Sequence, residues 1–478
     1  MNAAAITLDP ALLTSEVGSF AIDSREVEPG GLFFALSQPE YRDNGFNGEF
    51  EDSTRYVPSA FEKGAAACVV RADRYGEHSA ELERFRDRLI FVKDSILALQ
   101  RLAHGVYRTW NKPVVAITGS AGKTTAKELT AHVLESGGRK VLRNIKNYNN
   151  GLGHPLTVLN LAKDPSYDMA VLEMGMSTPM NEIARLCRIT PPDVAVVLNV
   201  LPVHVEHLGS IENVAKAKAE IVEGMKPDGT AVLNADDTRV AAMRSLVKGK
   251  TITYAIDNEA DVRAENVGFE RFGETRFTLA VNGETAEVEF PLNGKHNISN
   301  ALAAAAVGVS FGMPAGEIAA RLASVVPPPQ RGEVLRFAGG FTVINDSYNS
   351  NPDALMSMIE TLTDGAHGSQ KIVVAGEMLE LGEKEKAIHR ETGARIAASG
   401  VDMLIGVRGL AREMVEGARA AGFENVVFAD DSDAAGELLI DTIAEGDVVL
   451  VKGSRGVRTE KVIERLLEKY KLERATNG

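Results

Sequence analysis

A lysine between a glycine and two threonines, set where an apolar run meets a helix-forming run, is an arrangement suited to phosphate. Thr118-Gly119-Ser120-Ala121-Gly122-Lys123-Thr124-Thr125 follows Val114-Val-Ala-Ile117 and leads into Ala126 to Leu134. In that context backbone N–H groups and the positive end of the helix dipole face phosphate oxygens. Lys123 then reaches the β and γ phosphates of ATP, and the Thr124 hydroxyl is a hard oxygen ligand for Mg²⁺. The loop is a variant, because Ile117 stands where the general phosphate loop has its first glycine. A glycine-rich turn with a solvated lysine is the alternative, and the flanking strand and helix argue against it.

Other residues carry chemistry less specifically. Glu173 closes the predicted strand Met169–Leu172, the edge at which open parallel sheets bind ligands, although an exposed loop carboxylate fits the same position. His204 follows another apolar run, Val194–Leu198, and a lone histidine there is more often a hydrogen-bonded structural group. By charge pattern alone, Lys218 reads as part of a solvated amphipathic helix. Asn297 and Asn300 offer both donors and acceptors, and Asn297 equally suits the capped start of a helix.

The elements that must position these residues divide into three textures. With 478 residues the chain exceeds one compact core, and domains of roughly 100–200 residues predict about three. Residues 1–110 hold short apolar runs at Gly31–Leu36 and Ala65–Val70, followed by helical spacing from Ser95 to Tyr107 that Asn111-Lys-Pro113 interrupts. Residues 111–328 begin with the strand–loop–helix unit and continue with buried, β-branched runs that predict a mostly parallel sheet. Alternation over 260–292, with Asn282-Gly283 as a hairpin signal, predicts an antiparallel flap on this domain. Pro327-Pro-Pro329 marks the second boundary. In 329–478, five strand-like runs alternate with helical ones, as in a Rossmann-like, doubly wound domain. The fold class is therefore α/β throughout.

Apolar content of 44% and charged content of 25% are those of an ordinary globular protein. Lys plus Arg number 52 against 66 Asp plus Glu, a net charge of −14 that disfavours nucleic acid as a partner. Cys68 and Cys187 are too few for a disulfide framework and lack metal-ligand spacing, so they read as buried thiols in a reducing cytoplasm. No basic leader with an apolar core and no run of about 18 apolar residues appears, which predicts neither export nor a membrane span. No repeated apolar seam calls for an oligomer, so a monomer is expected.

The sequence Thr118-Gly-x-x-Gly-Lys-Thr-Thr125 resembles the Mur ligase family. So do, in order, Asn147-Tyr-Asn-Asn-Gly-Leu-Gly-His-Pro155, Glu173-Met-Gly175, Val203-His-Val-Glu206, Ala217-Lys-Ala-Glu-Ile221 and Gly294-Lys-His-Asn-Ile-Ser-Asn-Ala-Leu-Ala303. The resemblance implies an ATP-dependent amide ligase. A substrate carboxylate attacks the γ-phosphate, and an amine converts the acyl phosphate to an amide, so no catalytic serine or cysteine is needed. It also implies two Mg²⁺ ions held by Thr124, Glu173, His204 and a carbamylated Lys218, with Lys123 beside the phosphates. Asn297 and Asn300 would approach the base of ATP, and Arg331 and Asp346 would close over it. Asp346-Ser-Tyr-Asn-Ser-Asn-Pro352, supported by Gly376–Gly382 and Val451–Arg455, resembles the member that adds D-alanyl-D-alanine to UDP-N-acetylmuramoyl-tripeptide. Asp23–Leu36 resembles that member's UDP-binding domain. The substrate contacts this implies are Ser24, Arg25, Asn147, Asn149, Asn150, Tyr348 and Asn349. A folylpolyglutamate or cyanophycin synthetase would share the phosphate loop but not the Asp346–Asn349 string, and a nucleotide switch would need no three-domain site.

Overall fold

The computed structural model describes residues 16–46, 48–145, 148–176, 181–202, 208–271, 274–327, 329–366, 369–379 and 381–473. Contacts divide it into two units, Met1–Tyr254 with Asn258–Asp261 and Ala303–Gly312, and Ala255–Asp257 with Val262–Leu302 and Met313–Gly478.

The first unit opens with four short parallel strands in sequence order, β1 (Phe20–Ala21), β2 (Leu32–Phe34), β3 (Ala67–Arg71) and β4 (Leu89–Val92). Both faces of this sheet are covered, so its strands read as unbroken apolar runs instead of alternating ones. Phe33, Cys68 and Val70 pack on one side with Phe61, Leu82 and Leu89. Leu32, Phe34 and Val69 pack on the other with Ile96, Leu99, Ala103 and Tyr107 of the helix Ser95–Trp110. That helix starts at Asp94, whose carboxylate accepts the Leu97 N–H at 2.8 Å, and ends at Asn111 in the left-handed conformation, φ +48°. The predicted break at Asn111 ends the helix, while the apolar core runs on beyond it into the next sheet.

That sheet comprises β5 (Val114–Thr118), β6 (Val141–Arg143), β7 (Met169–Glu173), β8 (Val194–Val197), β9 (Thr230–Asn234) and β10 (Lys250–Ala255), in the order β10-β9-β8-β5-β7-β6 with every pairing parallel. β5 is buried along its whole length between β7 and β8. Its register sets Ile117 opposite Glu173 and Thr118 opposite Val197, so the ends of three strands meet at one edge. This is the crevice in which parallel α/β sheets bind ligands.

In the second unit, β11 (Val262–Arg271), β12 (Glu274–Val281) and β13 (Glu284–Phe290) form an antiparallel meander. Asn282 and Gly283 join the last two strands with positive φ at both positions, +50° and +85°, the turn that matches right-handed strand twist. The helix Lys295–Ser310, which the division assigns to this unit only as far as Leu302, and the helix Ala315–Ala323 follow. The remaining sheet holds β14 (Glu333–Arg336), β15 (Thr342–Asp346), β16 (Lys371–Gly376), β17 (Met403–Val407), β18 (Val426–Ala429) and β19 (Val448–Lys452), ordered β14-β15-β19-β16-β17-β18. All pairings are parallel except β14 with β15. Val373 and Ala375 face one core and Ile372 and Val374 the other, the two-sided burial of a doubly wound sheet.

Candidate active site

The phosphate loop is held from below by β5 and from the side by the loop after β8. The Thr118 hydroxyl donates to Met174 O at 2.9 Å, Ser120 N–H to Asn199 O at 3.1 Å, and Ala121 N–H to Asn199 Oδ1 at 2.9 Å. Leu201 N–H returns a bond to Ser120 Oγ at 2.9 Å. A Cβ on Gly119 would lie 2.9 Å from Leu198 Cβ, and Gly122 has φ +81°, so both positions favour glycine for a steric reason. The helix Lys123–Leu134 begins directly after Gly122, with Lys123 Nζ folded back onto Gly119 O at 2.9 Å and Ser120 O at 3.4 Å.

Glu173 is 4% exposed and faces this loop. Thr124 Oγ1 donates to its Oε2 at 3.0 Å and Asn149 Nδ2 to its Oε1 at 2.8 Å, while its backbone N–H donates to Asn144 Oδ1 at 2.7 Å. A hydroxyl and a buried carboxylate converging beside a phosphate loop fit a magnesium ion, which takes hard oxygen donors and shares its remaining positions between water and substrate phosphates. Among the described residues, no group of three His, Cys, Asp or Glu that could hold a metal ion converges. His204 and Asn147 lie outside the described residues.

Lys218 is on the helix Ile211–Glu223, but not on a solvated face as its charge pattern suggested, since it is 3% exposed. Helical period decides this, because Val214, Ala217, Lys218 and Ile221 share the buried stripe. Burial, followed by the positive charge of Lys123, pushes its amine well below the ordinary lysine range, and among the described residues no carboxylate contributes against this. That direction favours the unprotonated, nucleophilic form of the amine.

In the second unit, Asp346 and Lys452 end the paired strands β15 and β19 directly opposite each other and form an ion pair, with side chains 16% and 5% exposed. Lys452 Nζ also donates to Asn349 O at 2.9 Å. Arg331 lies over the Tyr348 ring, 3.9 Å from its centroid, and Arg455 at 6.0 Å. Arg331, Asp346, Tyr348 and Asn349 therefore gather at one sheet edge. Asn297 and Asn300 are buried in the first turns of the helix Lys295–Ser310. That helix starts two residues before Asn297, whose amide donates to Asn293 O at 2.8 Å, so Asn297 does not open the helix.

The profile of the Mur ligase middle domain matches residues 117–308, and that of the Mur ligase glutamate ligase domain matches residues 330–455. A UDP-N-acetylmuramoyl-tripeptide--D-alanyl-D-alanine ligase of Bacillus subtilis is 33% identical over 463 residues, covering 96% of this chain and 95% of that protein. The protein of the same name from Escherichia coli is 35% identical over 450 residues, covering 93% of each. The chain belongs to the Mur ligase family. Its members form amide bonds at the expense of ATP, and so does this ligase. Among solved structures, MurF from Acinetobacter baumannii superposes with a TM-score of 0.80 at 26% identity, over 95% of this chain and 94% of that one. MurF from Thermotoga maritima, in complex with ADP, has a TM-score of 0.78 at 28% identity, over 97% and 99%. The α/β fold with three sheets is that of these enzymes.

Other expected contacts of this Mur ligase are placed as follows. Ser24 and Arg25 lie in a short turn capped by Asp23. Arg25 is 86% exposed and grips Asp23 through Nε at 3.0 Å and a second nitrogen at 2.6 Å, so it is a surface group and not a buried structural arginine. Asn150 Oδ1 accepts from Leu152 and Gly153 N–H at 3.1 and 2.9 Å, which shapes the turn into the helix Gly153–Lys163. Cys68 and Cys187 are buried free thiols, and burial pushes the latter up to about 12. No helix among the described residues is long and apolar enough to cross a membrane.

Sequence reasoning passed over several residues that build the site. Asn144 bridges β6 to Glu173 and to Tyr148 O at 2.8 Å, and buried Lys127 holds Asn144 O at 2.7 Å. Asn199 braces the phosphate loop on its other side. Lys452 is legible in the sequence only as a member of the run Val451–Arg455. A polar residue one or two positions beyond a buried strand is the signal that would have found Asn144 and Asn199.

Proposed function

We propose that this enzyme joins D-alanyl-D-alanine to UDP-N-acetylmuramoyl-tripeptide in cytoplasmic peptidoglycan precursor synthesis, acting as a monomer. The reading rests on one observation above others: relatives bearing that activity in their names align along 92–96% of the chain, end to end through all three sheets. Residues 1–110 bind the UDP precursor, with Ser24 and Arg25 as contacts. Residues 111–328 bind ATP, and residues 329–478 close over it and receive the dipeptide.

The chemistry follows from how charge is arranged. The loop Gly119–Thr125, with its Ser120 and Ala121 N–H groups anchored on Asn199, and the helix start hold the ATP phosphates, and Lys123 moves from its carbonyl partners to the β and γ oxygens. One carboxylate oxygen of the tripeptide attacks the γ-phosphorus while the bond to the β-phosphate oxygen breaks, leaving ADP and an acyl phosphate. The dipeptide amine then attacks the acyl carbon, phosphate departs with the C–O electrons, and the amine proton passes to solvent. Thr124 and Glu173, with His204 and a carbamylated Lys218, would hold two Mg²⁺, which neutralise charge accumulating on the phosphoryl group. Asn297 and Asn300 contact adenine, and Arg331 and Asp346 complete the nucleotide enclosure. Asn147, Asn149, Asn150, Tyr348 and Asn349 orient the two acceptor substrates.

Phosphate release by the purified enzyme with ATP, Mg²⁺ and UDP-tripeptide tests this. Release should require D-alanyl-D-alanine, and release at the same rate without the dipeptide would overturn the assignment.

A further inference from the structure

The first unit contains a recess of about 730 Å³, within the range of small-molecule sites, that the catalytic residues do not occupy. One wall is a stripe of the helix Ser95–Trp110 in which Gln100, Arg101 and His104 recur at helical spacing. The facing wall is the helix Glu182–Ile189, which contributes Arg185 and Arg188, and the loop around Asn44 forms the rim.

Its charge is unusual for a protein of net −14. Three guanidiniums line the recess, and among the described residues none of them forms a salt bridge. Arg185 is held in place, its Nη1 donating to Asn44 O at 2.9 Å and Asn44 Oδ1 at 3.2 Å, and its guanidinium lies 5.5 Å from the Phe46 ring centroid. Burial lowers its pKa first, and nearby Arg188 acts in the same direction, against the opposing charges of Glu182 and Asp94. Asp94 is committed to capping its helix and to Asn44 Nδ2 at 3.2 Å. Asp43 is the carboxylate on the recess lining itself. His104 uses Nδ1 on Ile189 O at 3.0 Å.

Both walls are tied to the reaction centre. Gln100 Nε2 donates to Gly151 O at 2.9 Å, two residues along from Asn149, whose amide holds Glu173. Glu220, two residues after Lys218, accepts Asn181 and Ala184 N–H at 2.7 and 3.0 Å and so anchors the start of the arginine-bearing helix.

We propose that this recess is the oxyanion subsite for the UDP-linked substrate, in which Arg101 and Arg188 contact a carboxylate or phosphate group and Arg185 is the fixed anchor between them. The inference rests on the activity proposed above. The anion has two possible sources, an extra carboxylate on the tripeptide's third residue or the diphosphate, and both need planar, multiply donating cations of this kind.

The test is calorimetric binding and steady-state kinetics of the full chain, comparing wild type with Arg101→Gln, Arg188→Gln and the double variant. The ligands are UDP-N-acetylmuramic acid and UDP-tripeptides ending in diaminopimelate or in lysine. Each substitution should raise Kd and KM for the UDP-linked ligand about 10-fold, the loss of one charge-assisted bond, with KM for ATP and for D-alanyl-D-alanine unmoved. A loss confined to the diaminopimelate ligand supports the site with carboxylate as its anion; an equal loss for all three supports it with diphosphate. A double variant that binds all three like wild type overturns the proposal, as does a parallel loss of ATP affinity or of thermal stability. Wild type that binds the tripeptide without turning it over would sink the ligase reading and leave the subsite standing.

Discussion

Replacing Lys218 by methionine should make the protein more stable and inactive at once. The amine is 3% exposed, burial and the charge of Lys123 depress its pKa, and among the described residues no opposite charge repays the desolvation. The sign follows from proton counting. With the folded pKa below that of the unfolded chain, the unfolded state binds more protons between the two values, so stability rises with pH there and the lysine destabilises the fold at neutral pH. Methionine keeps the unbranched apolar stem and removes the cost. Relieving the desolvation of a buried ammonium, an effective penalty on the order of kcal/mol, should raise Tm by about 2 °C or more for a unit of this size. In its unprotonated form the Lys218 amine can add to CO₂, its nitrogen bonding the carbon and its proton passing to solvent, to give an anionic oxygen ligand. Activity and Tm of the wild type should therefore respond to bicarbonate, and those of Lys218→Met should not. The assay is paired calorimetric melting and phosphate release in CO₂-depleted and bicarbonate-supplemented buffer, with intact mass to detect the adduct. A variant with wild-type turnover, or one destabilised by several kcal/mol, would refute the reasoning, since the latter means the amine makes a favourable charged contact.

Glu173→Gln keeps the shape of a side chain whose partners, the Thr124 hydroxyl and the Asn149 amide, can reverse their donor and acceptor roles. Its Tm should hold while the Mg²⁺ needed for half-maximal activity rises about 10- to 100-fold, measured by Mg²⁺ titration of phosphate release. Glu40 accepts Ser37 and Ser95 N–H at 2.8 and 2.7 Å in a buried position, and burial raises its carboxyl to about 7. Its protonated form is the one the fold favours, so this contribution is complete below about pH 4.5 and lost as pH rises through about 7. Relative to Glu40→Gln, wild type should lose stability on the order of 3 kcal/mol between pH 4.5 and 8 in urea titrations, and parallel profiles would show the carboxyl is not so perturbed. Lys452→Met strands Asp346 beside β19 and should cost about 3–5 kcal/mol, whereas the double change Asp346→Asn with Lys452→Met should recover most of it.

How far the sequence could be read depended on whether local pattern and tertiary environment agreed. The strand before the phosphate loop, the Asn282-Gly283 hairpin and all five alternating strands of the last sheet were legible because each carries its own periodicity or turn chemistry. β14 was missed, since Glu333-Val-Leu-Arg336 is short, half-buried throughout and has no alternation to betray it. Lys218 shows the opposite failure. Three lysines and glutamates in seven residues look solvated, and only the neighbouring helix and sheet determine which of them is enclosed. The meander over 262–290 was legible for the same reason as the hairpin within it, since its alternation announces antiparallel strands.

A protein of net −14 that binds ATP and a UDP-linked acid must overcome its own field, and the recess of the first unit does so by withholding its arginines from neutralisation. Arg185 is bonded to the backbone and side-chain oxygens of Asn44, and among the described residues Arg101 and Arg188 form no salt bridge. Carbonyl and amide partners orient a cation without cancelling its charge, which leaves it available to an incoming anion. Elsewhere the arginines are spent. Arg25, Arg71, Arg74, Arg143 and Arg465 each pair with carboxylates on the surface or at element ends. This partition has a measurable consequence, because exposed ion pairs that are already neutralised contribute little to ligand attraction when salt is added, whereas unpaired cations in a concave site contribute steeply. Raising ionic strength from low to physiological values should therefore weaken UDP-tripeptide binding several-fold with little change in Tm. Equal sensitivity of Tm and affinity to salt would mean that the cations are no more reserved for ligand than those on the surface.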